Sequence, residues 1–246
     1  DALMRLDLPA GVDIEVKLQT APKRHWKVKK TMKNVPGMMG KKVGMTQIFD
    51  ADGNSVPVTV VQLGENIVTQ TRSKENNGYC AVQIGGFVVK EKRMTKPEKG
   101  SLTKHELPML KPLKEYRVPD ASKFKIGEPL NAEELFKAGM LVDVQGKSIG
   151  KGFQGTIKRY NAGRGPMSHG SKFHRSMGSI GPGTTPGRVF KGIHMPGQMG
   201  NVTATVRKLE VVRVDAEKRL ILVRGAIPGS DGGTVILSPS ITKWNA

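Results

Sequence analysis

The sequence has little of the material from which many small proteins gain stability or chemistry. It contains a single cysteine, Cys80, which excludes an intramolecular disulfide framework and leaves no cysteine-based zinc site. Aromatic residues make up 5% of the 246 residues and hydrophobic residues 37%, so the core is smaller than the length suggests. We find no apolar run of about 18 residues to span a bilayer and no basic amphipathic helix to lie on one.

Acidic residues are absent from one long stretch, residues 144–209, in which lysine and arginine recur between glycines. The apolar runs needed for a packed core are also missing between Tyr160 and Val189. Burial therefore does not offset the roughly 1 to 2 kcal/mol per residue that ordering this backbone costs. A polyanion outside the chain would offset it, because each phosphate that a cation neutralises releases condensed counterions. We interpret the stretch as an arm that penetrates RNA.

The overall charge agrees with this interpretation. The formal net charge is +19 and the isoelectric point is near 10.1. A free cytosolic enzyme with such a surface would bind nucleic acid nonspecifically, so nucleic acid is the default partner, and neither a membrane nor a small-molecule substrate is expected. The first residue, Asp1, is not methionine, which suggests processing or trimming.

The apolar pattern predicts a mainly β fold with a small α+β insert. Residues 39–49 and 56–63 read as two strands joined by a turn at residues 50–53, and together they predict a hairpin. Residues 67–71 and 79–89 are predicted to extend the same sheet. The sheet is predicted to resume in four more strands, which are residues 140–149, 201–214, 220–224 and 234–237. These strands predict a small β-barrel or a strongly curled sheet.

The remaining segments complete the predicted domain organisation. Residues 1–36 form a basic N-terminal extension, in which Trp26 is a candidate for stacking on RNA bases. Residues 37–89 and 126–240 form the barrel body, residues 90–125 an inserted and weakly structured subdomain, and residues 150–200 a long loop within the barrel domain. Asn131 and Glu134 resemble a capping box at the head of a short helix that ends near Gly139.

Enzymatic and metal-binding interpretations find little support. The glycines around Lys41 lack the spacing and the following Ser or Thr of a phosphate-binding loop. The glycine-rich residues 181–187 follow no buried strand and precede no helix, as a dinucleotide-binding loop would. No acidic residue or thiol in the arm completes a metal site or a catalytic triad with His169, His174 or His194. We therefore expect no catalytic residue, no metal and no cofactor.

Four segments resemble the ribosomal protein L3 family of the large subunit. Residues 40–49, GKKVGMTQIF, are similar to its N-terminal signature, and residues 178–181, 185–192 and 195–200 follow in the family's order. The resemblance runs from about Met39 to Ile236. It implies a translation-factor-like β-barrel on the ribosome surface, with a long loop that reaches through large-subunit ribosomal RNA (rRNA) towards the peptidyl transferase centre. It also implies an early role in subunit assembly beside other large-subunit proteins.

Two departures from the family pattern bear on modification and compartment. Thr184 stands where bacterial relatives often carry a methylated glutamine, so that modification is not expected here. Residues 1–36 precede the usual family start, which suggests an organelle ribosome. The sequences of residues 157–161 and 164–170 are more similar to the cyanobacterial and plastid branch of the family. The resemblance thus implies the chloroplast stroma, with the bacterial cytoplasm or a mitochondrion as the alternative.

The predicted RNA-binding residues lie at the barrel mouth, along the loop and at the loop's return into the sheet. They are Lys41, Lys42, Lys151, Lys158, Arg159, Arg164, His169, Lys172, His174, Arg175, Arg188, Lys191, Arg207 and Lys208. By the resemblance, Pro182, Gly183 and Thr184 lie nearest the peptidyl transferase centre. The alternative functions are an RNA-modifying enzyme and a free nucleic-acid chaperone.

Overall fold

The computed structural model describes residues 35–50 and 52–240, and these form a mainly β protein, as predicted. The predicted N-terminal extension lies outside the described residues except for its last two positions. The strands are β1 Met38–Phe49, β2 Ser55–Leu63, β3 Ile67–Arg72, β4 Ala81–Val88, β5 Leu110–Arg117, β6 Leu141–Lys147, β7 Gly152–Gln154, β8 Gly197–Met199, β9 Thr203–Asp215, β10 Leu220–Arg224 and β11 Thr234–Pro239. The α-helices are α1 Lys74–Asn77, α2 Lys96–Thr103, α3 Ala132–Leu135 and α4 Thr156–Tyr160, and a 3-10 turn covers Glu91–Arg93.

Six antiparallel strands close into a barrel in the order β1, β11, β6, β9, β10, β2. Burial alternates along β6, β10 and β11, and the inward valines, isoleucines and leucines of the barrel strands make one core. Phe136, which follows α3, packs into the same core and is 1% exposed. None of the helices in the described part of the chain is long and apolar enough to cross a membrane.

The predicted hairpin is confirmed as β1 and β2, which pair from Gly40 opposite Leu63 to Phe49 opposite Ser55. Asp50 donates its backbone N–H to Asn54, and Gly53 donates back to Asp50, which closes the turn. Gly53 has a φ of +77°, a conformation that glycine adopts without the steric cost of a Cβ atom.

A second sheet of three strands, in the order β3, β4, β5, corrects two expectations. The prediction that residues 67–71 and 79–89 extend the barrel sheet is wrong, because β4 is flanked on both sides by β3 and β5. The prediction that residues 90–125 are weakly structured is also wrong. They contain α2, which begins with a capping box between Thr95 and Glu98, and β5, which completes the second sheet. How the chain divides into domains stays a prediction.

The short helix expected after Asn131 is present but is only one turn long. It covers Ala132–Leu135 and ends before the predicted Gly139. The Asn131 side chain does not cap the helix backbone; its Nδ2 instead donates to the Glu134 carboxylate at 3.0 Å.

The long loop leaves and re-enters the barrel at one place. β6 and β9 are neighbours, and Lys147 at the end of β6 lies opposite Thr203 at the start of β9. The segment between these two residues is therefore a long loop that extends from the ends of two paired barrel strands.

Candidate RNA interface

The base of the long loop is a two-stranded ribbon that continues the β6–β9 pair. Ser148 makes two backbone hydrogen bonds, donating to Val202 at 2.9 Å and accepting from Asn201 at 3.1 Å. Lys151 then donates its N–H to Met199, and β7 pairs with β8 from Gly152 opposite Met199 to Gln154 opposite Gly197. The loop thus leaves the barrel on a regular ladder with a defined direction.

Two contacts from α4 tie the two arms of the loop together beyond the ribbon. Arg159 Nη1 donates to the carbonyl oxygen of Met195 at 2.7 Å, which joins residues 36 positions apart. The Tyr160 ring stacks on the His194 ring with centroids 4.0 Å apart and planes 4° apart. Asn161 ends the helix in the left-handed conformation at φ +56°, which turns the chain outward.

Residues 161–196, all of which the structure describes, contain no helix or strand. Within them Gly165 donates its N–H to the His174 carbonyl at 3.0 Å, and His174 Nδ1 lies 3.0 Å from the Pro166 carbonyl oxygen. These two contacts close a small lobe. Most of the loop backbone lies outside helices and strands, so many of its N–H and C=O groups are open to an external partner.

Gly165 is the position where this lobe tolerates a side chain least. A Cβ atom built there overlaps the carbonyl oxygen of Phe173. We expect Gly165→Ala to open the lobe and to weaken rRNA binding about tenfold, while the melting temperature stays within a few degrees because the barrel is untouched. Binding to large-subunit rRNA and a thermal melt measure the two effects. Gly163→Ala is the matched control, since its Cβ meets nothing within 4 Å, and equal affinity of both variants would contradict the expectation.

The predicted tip residues Pro182, Gly183 and Thr184 are all exposed, in a series of turns. Gly187 donates its N–H to the Gly183 carbonyl at 3.2 Å, and Gly183 and Gly187 have φ values of +97° and +67°. The tip is therefore a tight turn whose backbone and small side chains face outward, where a close partner can approach.

The loop carries positive charge that no acidic side chain of the loop neutralises. Its cations are Lys151, Lys158, Arg159, Arg164, Lys172, Arg175, Arg188 and Lys191, and all but Arg159 are exposed. The ion pairs found among the described residues all lie outside the loop. Unpaired cations on a thin excursion create a strong local positive potential, which attracts phosphates.

Exposed rings and aliphatic side chains lie among these cations. Phe153 is 75% exposed, Phe173 45% and Phe190 48%. The Arg188 guanidinium lies 5.9 Å from the centre of the Phe190 ring. Planar groups beside cations are suited to nucleic acid, because bases stack on rings while phosphates pair with guanidinium groups.

The four predicted residues on the barrel differ in their surroundings. Lys41 and Arg207 are exposed on β1 and β9. Lys42 is half-buried; its Nζ donates to Gly229 at 3.2 Å and lies 3.6 Å from Asp231. Lys208 is also half-buried, has a φ of +59°, and donates its backbone N–H to Asp143. Contact with RNA stays a prediction for each of them.

The structure adds a basic cavity that sequence reasoning missed. The basic cavity has a volume of about 480 Å³ and lies between the barrel and the second sheet, with Lys41, Lys90, Arg93 and Lys111 in its wall. Lys41 Nζ lies 4.8 Å from the centre of the Phe87 ring in the same wall. In the sequence, this cavity is indicated only by the density of lysine and arginine in residues 90–125. Its location could not be predicted, because the pairing of β4 with β5 is needed to bring these cations beside Lys41.

No group of His, Cys, Asp and Glu side chains within residues 35–50 and 52–240 is arranged to hold a metal ion. His169, His174 and His194 lie at separate places along the loop, and their partners are backbone or rings where contacts are seen.

Comparisons with known proteins agree on one protein family. The family model described as Ribosomal protein L3 matches residues 120–223. A protein of Trichormus variabilis named Large ribosomal subunit protein uL3 is 52% identical over 204 residues, which are 83% of this chain and 96% of that protein. The protein of that name from Crocosphaera subtropica is 53% identical over 205 residues, with the same coverage. A protein of Phaeodactylum tricornutum named Large ribosomal subunit protein uL3c is 47% identical over 206 residues, 84% of this chain and 99% of that protein.

Proposed function

The chain belongs to the ribosomal protein L3 family, and from that premise we propose that it is a structural constituent of the large ribosomal subunit that binds large-subunit rRNA. It is a structural protein and not an enzyme. The observation that carries the proposal is the long loop, where eight cations with no acidic residue among them extend from the ends of two neighbouring barrel strands.

The loop's cations and its glycines would have different roles in binding. The cations supply affinity, because neutralised phosphates release their counterions. The glycines supply fit, because the backbone passes close to RNA where side chains would clash. The ribbon β7–β8 and the Arg159–Met195 bond hold the base of the loop in one direction, so less conformational entropy is lost on binding.

The barrel would dock on rRNA helices at the subunit surface, with Lys41 and the basic cavity facing the RNA. Pro182, Gly183 and Thr184 would then lie nearest the peptidyl transferase centre, where they shape the RNA without performing chemistry. A protein that ties surface helices to interior RNA also supports early assembly of the subunit. Family membership and the loop's exposed charge support these placements.

The partners would be large-subunit rRNA and other large-subunit proteins, and the compartment would be the chloroplast stroma. Similarity to cyanobacterial and plastid-type relatives supports a plastid ribosome. The bacterial cytoplasm fits the cyanobacterial relatives as well, and a mitochondrion remains the third alternative.

Directed cleavage of rRNA tests the position of the loop tip. Thr184→Cys in a Cys80→Ser background places one thiol at the tip for tethered Fe-EDTA, and Lys218→Cys places one on the β9–β10 turn as the control. In assembled subunits we expect cleavage from Thr184→Cys to cluster in the rRNA of the peptidyl transferase centre. Cleavage from Lys218→Cys should fall elsewhere. Indistinguishable cleavage patterns would contradict the proposed path of the loop.

A further inference from the structure

A short column of planar groups stands at the base of the long loop. His194 covers one face of the Tyr160 ring at 4.0 Å, and the Arg159 guanidinium carbon lies over the same ring at 5.0 Å. The two rings are nearly parallel, so the face of the His194 ring that is turned away from Tyr160 ends the ring stack. His194 is exposed.

A cleft lies beside this column, and both stacked rings line it. The cleft has a volume of about 470 Å³ and is lined by α4, by residues 177–179 and by residues 192–194. Its wall carries the Tyr160 and His194 rings, the hydroxyls of Thr156 and Ser179, and glycines at positions 178 and 192. The cleft is broad and open to solvent, and its volume is sufficient for one small planar ligand.

We propose that this cleft binds one unpaired nucleobase, which stacks on the open face of His194. A nucleobase fits better than an aliphatic side chain, because it extends the column with another π-face and its polar edge meets a wall that includes Ser179. The surrounding charge favours the same occupant. Lys158 is exposed on α4, and no acidic residue belongs to the loop, so the phosphates of an extruded nucleotide meet no acidic side chain of the loop.

The inference rests on the proposed function and makes it more specific. It predicts that the loop not only neutralises phosphates but also holds a base that has left its helix. Base stacking tolerates different bases because each has a π-face, so the site should select an unpaired nucleotide more strongly than a particular base.

The test uses the full chain and a uridine decamer with one central 2-aminopurine, with the same strand in a duplex as comparison. We expect wild-type protein to quench the 2-aminopurine fluorescence of the single strand and not of the duplex. His194→Ala should lose the quenching and bind about tenfold more weakly, whereas His194→Phe should keep both, because it retains a ring. His105→Ala is the control, because His105 follows α2 and lies outside the loop. It should behave as wild type.

A cleft-filling variant separates base entry from damage to the column. A Cβ atom at Gly178 meets nothing within 4 Å, so Gly178→Leu narrows the cleft while Tyr160 and His194 stay stacked. It too should lose the quenching. If His194→Ala and Gly178→Leu both quench as wild type does, the nucleobase site is wrong. The proposed function fails separately, by absence of any preference of the wild-type chain for large-subunit rRNA.

Discussion

Replacing Arg175, Arg188 and Lys191 together with glutamate is expected to lower affinity for large-subunit rRNA by about a thousandfold. All three side chains are exposed on the loop, and none has an ion pair among the described residues. A hydrogen bond to a charged group contributes about 1.5 kcal/mol or more, and about 1.4 kcal/mol is a tenfold change in affinity. The slope of log affinity against log salt should also become about three units shallower.

A second triple variant controls for net charge. Lys74, Lys137 and Lys218 are exposed on α1, after α3 and on the β9–β10 turn, and their replacement by glutamate changes the total charge by the same amount. Filter binding across a salt series compares the two variants. If both lose affinity equally, the chain binds RNA through its overall charge and the loop has no special role.

Asn66→Ala is expected to destabilise the protein by about 3 kcal/mol. Asn66 is 0% exposed and links the barrel to the second sheet through three hydrogen bonds of its side chain. Met39 donates its N–H to Oδ1 at 2.7 Å, and Nδ2 donates to the carbonyl oxygens of Met39 and Gly64, each at 3.0 Å. Alanine leaves buried backbone groups without these partners, and each such group costs about 1 to 3 kcal/mol.

Chemical denaturation of the wild type and of Asn66→Ala measures the difference in their free energies of unfolding. Asn54→Ala, in the exposed turn between β1 and β2, is the matched control and should change stability by less than about 0.5 kcal/mol. An Asn66→Ala variant as stable as the control would show that the buried amide is not what joins the two sheets. Because the basic cavity lies at the same junction, weakened rRNA binding should accompany the loss of stability.

The barrel was predictable where burial alternates along a strand. Strands β10 and β11 show that alternation, and the β1–β2 hairpin is marked by turn residues such as Gly53. The second sheet was not predictable in the same way. β5 has the sequence LKPLKEYR, whose lysines and proline resemble a solvated connection, and it is a strand because β4 offers it a free edge. Tertiary pairing decided its structure.

The candidate site was predictable in composition but not in geometry. The absence of acidic residues and the density of glycine identified the loop, because neither needs knowledge of the fold. The contact of Arg159 with Met195 and the stack of Tyr160 on His194 join residues far apart in sequence, and no local pattern pairs them. Lys42 shows what residue type alone does not reveal. It was predicted to contact RNA because it is a lysine in a basic segment, whereas only the structure shows that its ammonium group lies beside Asp231.

The most direct test of the account is binding of the purified chain to an intact large-subunit rRNA domain and to bulk duplex RNA, each across a salt series. As salt rises the counterion contribution falls for both RNAs. If the loop fits a particular RNA fold, affinity for the rRNA domain should remain well above that for the duplex at every salt concentration. Two coinciding curves would contradict the account, because the chain would then recognise only charge.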